Sequence, residues 1–214
     1  QTFAGSPAPM PSPWQAEGDL ISGLRAQHAV FSGKTHTVEF AFGGLGVNSH
    51  WGTPRNPWDA NTHRVPGGSS SGAGVSLCEG TALVALGSDT AGSVRIPASV
   101  TGNVGLKTSY GRWPVSGIFP LSPTLDTAGI LTRSVADTVT AFSAIDPHQR
   151  SYGPRLAREI ARCTPADFVI GTGEPALWDD CDPGISETVD EALRVLGRAG
   201  VQTVSAALPQ AASA

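Results

Sequence analysis

Residues 65–95 read VPGGSSSGAGVSLCEGTALVALGSDTAGSVR. Two loops rich in glycine and serine, at 67–72 and 87–93, flank a short apolar segment, and only Glu79, Asp89 and Arg95 carry charge. A packed core gains nothing from adjacent glycines and hydroxyls, because glycine costs backbone entropy and an unpaired buried hydroxyl costs about 1–3 kcal/mol. Backbone amides that must converge on a small anionic group do need such residues. By composition this stretch points to a serine-based hydrolytic site.

Working outward, 72–79 reads as a helix, 81–87 as a short buried strand because ALVAL is apolar on both faces, and 94–100 as a second helix. Upstream, Leu20, Ile21, Leu24 and Val30 suit a short helix from Asp19 feeding an extended AVF segment. Pro54, Pro57 and Pro66 make the region before the serines loop-like. Downstream, Ser134 is placed to cap a helix with Val135, Val139, Phe142 and Ile145 on one face. In the tail, Phe168, Val169 and Ile170 form a strand. Asp182 and Pro183 open a helix with a stripe of Ile185, Val189, Leu193 and Leu196, and Gly200 ends it before the strand VQTV. That β-α-β unit predicts an α/β class with some parallel pairing.

The 214 residues, 40% hydrophobic and 15% charged, fit one globular domain with a sizeable core. A net charge of −4 with scattered basic residues leaves no electrostatic footprint for nucleic acid or an anionic membrane. No apolar run approaches the roughly 20 residues that span a bilayer, and QTFAGSPAPMPSP lacks the regions of a signal peptide. A cytoplasmic location is the expectation. Cys78, Cys163 and Cys181 have neither CxxC nor metal-ligand spacing and read as free thiols, so no metal is expected.

Three short motifs compete. Gly68-Ser69-Ser70-Ser71-Gly72 fits the GxSxG elbow, with Ser70 as nucleophile, but that motif needs a strand running into the turn, and THRVP before it is a poor strand. HAVFSGKT approximates a phosphate-binding loop, yet His28 stands where glycine is required, so Lys34 reads as structural. The tetrapeptide DTAG occurs at both Asp89 and Asp126. The copies lie too close for the two lobes of an aspartic protease and lack Gly directly after Thr, so the repeat reads as chance.

One reading takes in both loops. GGSSSG, GSDTAGSVRIPAS and GLKTSYGRWPVSGIFPLSPTLDTAGILTRSVAD, with GKTH and GTPRNPWD upstream, closely resemble the amidase signature family from TFAGSP to VDEALRVLGRAG. The resemblance implies the amidase signature fold, a mixed central sheet with helices on both faces, here incomplete. It implies hydrolysis of a carboxamide to acid and ammonia without metal or organic cofactor. Ser93 takes the position of the nucleophile, and Ser69, 24 positions earlier, that of the bridging serine beside a cis peptide bond. Proton relay requires their hydroxyls to meet at about 2.6–3.2 Å. The amides of Thr90, Ala91, Gly92 and Ser93 match the oxyanion hole, with Ala91 standing where most members have glycine. Ser70, Asp89 and Arg95 match loop-supporting positions. The family's GKTN is GKTH here, and His36 reads as a packed or surface histidine.

The relay ends on a neutral lysine in the family. Only Lys34 and Lys107 occur in this chain, and both match other family positions. The resemblance thus places the lysine before Gln1 and a further C-terminal portion after Ala214, making residues 1–214 a partial amidase signature domain. The expected partner is a small-molecule amide, with a homodimer as the compatible assembly. Two rivals remain. One is the ammonia-transferring component of a tRNA-dependent amidotransferase, against which the apolar HTVEFAFGGLGVNSHWG counts. The other is an inactive fragment that lacks the lysine.

Overall fold

A computed structural model describes residues 1–150, 155–173 and 181–206. The chain divides into two units, Gln1–Ala157 and Arg158–Ala214. The elements of the first are α1 (Asp19–Arg25), α2 (Ser71–Cys78), β1 (Val84–Asp89), α3 (Arg95–Val100), β2 (Val104–Lys107), β3 (Thr127–Thr132), α4 (Val135–Ile145) and α5 (Pro147–Arg150); α6 (Arg155–Ile160) crosses the division. Two 3₁₀ turns, Ser12–Gln15 and Glu39–Ala41, interrupt the irregular stretches.

The strand TAGILT decides how the first unit packs. β3 lies between β1 and β2, antiparallel to both, and all six of its residues are buried. Because successive strand residues point to opposite faces, Ala128 and Ile130 enter a cluster with Leu20 of α1, Trp113, and Ala141 and Ile145 of α4. Leu131 enters the opposite cluster with Ala73 and Leu77 of α2, Ala85, Val94 and Ala98 of α3. Helices therefore cover both faces of the sheet, and burial of each large aliphatic side chain contributes about 1.5–3 kcal/mol.

Pairing with β3 also sets where β1 begins. The ladder runs from Val84 opposite Thr132 to Asp89 opposite Thr127, so the strand lies two to three residues later than the apolar run suggests. Leu83 is 72% exposed. Similarly, α1 ends at Arg25, His28 has φ +61°, and Val30 is exposed rather than packed. In α4 the buried positions are Thr138, Ala141 and Ile145, whereas Val135 is exposed. A threonine occupies the core face because its hydroxyl is satisfied: Thr138 Oγ1 donates to the Ser134 carbonyl at 3.0 Å and lies 2.6 Å from Thr132 Oγ1.

The α4 cap forms as its sequence indicates. Ser134 Oγ accepts from the Asp137 amide at 3.1 Å. Replacing Ser134 with Ala should destabilise the chain by about 1 kcal/mol. That lowers the midpoint of thermal unfolding by roughly 2–4 °C, which circular dichroism would detect.

The second unit carries β4 (Val169–Thr172), α7 (Pro183–Arg198) and β5 (Gln202–Ser205), with β4 and β5 parallel from Val169 opposite Gln202 to Thr172 opposite Ser205. Asp182 caps α7 by accepting from the Gly184 amide at 2.9 Å. The predicted β-α-β unit is present. Its helical stripe is less buried than expected, with Ile185 and Leu196 exposed, because two strands cover little of a helix face. The chain thus contains both antiparallel and parallel pairing. Among the described residues no helix is long and apolar enough to cross a membrane.

Candidate active site

The GGSSSG loop has no strand before it: residues 63–67 are irregular, and α2 starts directly at Ser71. The geometry of an elbow at Ser70 is therefore absent. Instead, neighbouring backbone holds the loop. The Ser69 carbonyl accepts from the amides of Val38 (3.1 Å) and Ser71 (2.8 Å) and from Thr37 Oγ1 (3.0 Å). The peptide bond between Gly68 and Ser69 is cis.

At the start of α2, the Gly72 amide donates to the His36 carbonyl at 2.9 Å. A Cβ at Gly72 would lie 2.3 Å from the His36 nitrogen, so only glycine permits this approach. Ser71 Oγ donates to the same carbonyl (3.3 Å) and sits 2.8 Å from His36 Nδ1. Burial pushes the His36 pKa below its ordinary value, opposed by the backbone of Gly52. His36 is thus a packed histidine that braces the loop and is neutral near pH 7.

The second loop follows β1 and is organised by Asp89. Its carboxylate, fully buried, accepts from the amides of Gly92 (2.8 Å), Val94 (3.2 Å) and Arg95 (3.4 Å). It also takes a two-pronged ion pair from the Arg95 guanidinium, at 3.0 Å on each oxygen. Burial alone would raise the Asp89 pKa; the guanidinium and the Gly92 and Val94 amides outweigh it and hold the carboxyl below the usual range. Gly92 has φ +125°, a conformation that L side chains rarely adopt. Its carbonyl accepts the Ile96 amide at 2.7 Å and so starts α3.

These two loops, distant in sequence, meet: the Ser70 amide donates to the Ser93 carbonyl at 3.2 Å. Ser69, Ser70 and Ser93 are all buried, at 1%, 8% and 8% exposure. The expected contact between the Ser69 and Ser93 hydroxyls is not made, and no hydrogen bond joins them. What the fold secures is the backbone juxtaposition of the two segments. Among the described residues, the amides of Thr90, Ala91 and Ser93 donate to no protein acceptor, whereas that of Gly92 is taken by Asp89. Neither lysine hydrogen-bonds to Ser69, Ser70 or Ser93. Lys34 Nζ donates to the Gln1 carbonyl (3.0 Å) and Thr2 Oγ1 (2.6 Å), and Lys107 Nζ to the Thr108 carbonyl (2.8 Å). An apolar cavity of about 740 Å³ runs along β1 between α1 and α4, reaching His36, Thr37 and Ser70 but not Ser69 or Ser93.

The second DTAG copy lies beside the first. The two segments are in contact: Asp89 stands opposite Thr127 in the β1–β3 ladder, and Thr90 Oγ1 donates to Asp126 Oδ1 at 2.5 Å. The repetition of the tetrapeptide was the signal available, and Asp126 is the residue it would have found.

Comparison with known proteins shows the family and the fold. Residues 1–214 match the family model described as Amidase. The chain is 55% identical over 207 residues to the 2-amino-5-chloromuconic acid deaminase of Comamonas testosteroni, covering 97% of this chain and 44% of that protein. It is 36% identical to a component of the glutamyl-tRNA(Gln) amidotransferase of Persephonella marina, over 90% of this chain and 41% of that one. Among solved structures, the crystal structure of an amidase superposes with a TM-score of 0.82 at 32% identity, covering 98% of this chain and 45% of that chain. The native peptide amidase of Stenotrophomonas maltophilia gives 0.72 at 32% identity, covering 91% and 42%. The chain spans less than half the length of each of these proteins. With a family match along its whole length and the two serine loops brought together by the fold, the chain belongs to the amidase family.

Proposed function

We propose that this chain carries the nucleophile of an amidase that hydrolyses a carboxamide C–N bond to acid and ammonia. The observation that carries the reading is the hydrogen bond from the Ser70 amide to the Ser93 carbonyl, which brings the Ser69 and Ser93 segments together. Ser93 Oγ attacks the amide carbonyl; its proton passes to Ser69 once side-chain rotation brings the two hydroxyls into contact, and on towards a lysine that burial would hold neutral. The carbonyl oxygen becomes an anion in the tetrahedral intermediate. The uncommitted amides of Thr90, Ala91 and Ser93 suit its stabilisation, and each such donor is worth roughly 2.7–4 kcal/mol of barrier. Collapse of the intermediate breaks the C–N bond, ammonia leaves with the relayed proton, and water then hydrolyses the acyl-Ser93 ester. Ser70, Asp89 and Arg95 hold the two loops in place.

The Comamonas relative is named a deaminase, and a deaminase shares ammonia as product with a carboxamide hydrolase. Ammonia release is therefore the readout common to both substrate types. In the full-length protein, a fluorophosphonate probe should label Ser93, and ammonia should be released from a primary amide in proportion to the unlabelled fraction. Labelling at Ser70 instead would overturn the assignment. The amidotransferase alternative predicts that ammonia release depends on a co-purifying partner; release by the isolated protein excludes it.

A further inference from the structure

The two DTAG segments are cross-linked reciprocally. Thr127 Oγ1, in the second copy, donates to the Asp89 carbonyl at 2.7 Å, and Thr90 Oγ1, in the first, donates to the Asp126 carboxylate at 2.5 Å. Each threonine hydroxyl thus closes on the aspartate of the other copy. Asp126 is buried, and its carboxylate also accepts from the amides of Leu121 (3.0 Å) and Ser122 (3.0 and 3.1 Å). Among the described residues no cationic side chain pairs with it. Several directed donors can hold a buried carboxylate without a counter-charge, and the geometry is then set by those donors.

The consequence lies at Thr90. Asp89 fixes the loop from Gly92 onward, through the amides of Gly92, Val94 and Arg95, but makes no bond to Thr90 or Ala91. Those two residues, which contribute two of the three uncommitted amides, have Thr90 Oγ1 as their side-chain anchor. The segment supplying Asp126 is tied at its other end to the bridging serine's neighbourhood. Phe119 stacks on Phe40 with ring centroids 5.2 Å apart, and Phe40 lies two residues beyond Val38, whose amide donates to the Ser69 carbonyl. The 119–126 segment therefore links the two sides of the site.

We propose that Asp126 is a positioning residue: acting through the Thr90 hydroxyl, it aims the Thr90 and Ala91 amides at the oxyanion formed during acylation of Ser93. The proposal rests on the amidase reading and adds to it a residue that the nucleophile loops do not contain. Misplacing reacting groups by about 1 Å costs on the order of 100-fold in rate, so loosening this anchor should slow acylation without weakening substrate binding.

Asp126 is buried among four donated bonds and its replacement could unfold the site, so the decisive variants are at half-buried Thr90. In the full-length protein, Thr90→Val keeps the shape and removes the hydroxyl, while Thr90→Ser keeps the hydroxyl. We expect Thr90→Val to lower kcat by about 10- to 100-fold with KM within about twofold, and Thr90→Ser to stay within a few-fold of the parent. Amide hydrogen exchange across residues 88–95 should rise in Thr90→Val and not in Thr90→Ser. Parental kcat in Thr90→Val, or a loss that merely tracks the folded fraction, overturns the proposal. If the parent itself neither labels at Ser93 nor releases ammonia, the amidase reading fails separately. The exchange comparison then still decides whether Asp126 anchors the loop, and unchanged protection in Thr90→Val overturns it.

Discussion

Ser93→Ala in the full-length protein should abolish acylation, lowering kcat by at least about 10⁴-fold, or about 5 kcal/mol of barrier. The fold should survive. Among the described residues Ser93 Oγ makes no hydrogen bond, and the interaction that ties its segment to the first loop uses its backbone carbonyl, which alanine retains. Single-turnover kinetics with a chromogenic anilide would show no burst, while the melting temperature stays within a degree or two. Ser70→Ala is the control. Its contribution to the loop contact is a backbone amide, so a modest effect is expected. If Ser70→Ala were the silent enzyme and Ser93→Ala the active one, nucleophile and support would exchange roles.

The second large effect is expected at Asp89. Truncation to Ala removes the acceptor of three backbone amides and the partner of Arg95. The Arg95 side chain is 53% exposed and can return to water when its partner is removed, so the substitution leaves no buried charge unpaired. The cost lies in the amides of Gly92 and Val94, stranded at about 1–3 kcal/mol each. A destabilisation of about 3–5 kcal/mol follows, visible as a drop of roughly 10 °C in the melting temperature and accompanied by loss of activity.

Asp89→Asn gives a finer test through pH. The folded carboxyl has its pKa lowered, so its stabilising contribution is fully present above the unfolded value near 3.9 and is lost as pH falls below it towards the folded value. The parent should therefore lose stability on acidification through that window faster than Asp89→Asn. Parallel acid limbs for the two proteins would show that Asp89 does not titrate differently in the folded state.

Much of the site was legible because its residues are chemically costly elsewhere. Adjacent glycines and serines, the aspartate that opens DTAGS and the arginine that follows it have no use in a core, and the fold uses them as loop, carboxylate brace and ion-pair partner. The capping residues Ser134 and Asp182 were readable for a similar reason, since a cap acts on amides two or three residues away. Strand limits were less legible. The start of β1 depends on β3, some 40 residues later, and nothing in ALVAL itself reports where its partner ends.

The sequence by itself determined the α/β class, the helix caps, the β-α-β tail and the identity of the serine loops, because each depends on local periodicity or on residue types within one turn. Only the tertiary structure decided that Ser70 binds the Ser93 carbonyl, that Asp89 occupies the Gly92 amide and so narrows the available donors, and that His36 braces Ser71. It also decided that the two DTAG copies face one another. These are pairings between segments roughly 20 to 40 residues apart or depend on directed hydrogen bonds. Their partners are chosen by the antiparallel register of β1 on β3 and by the closing of α2 and α3 over one face of that sheet, which no local pattern encodes.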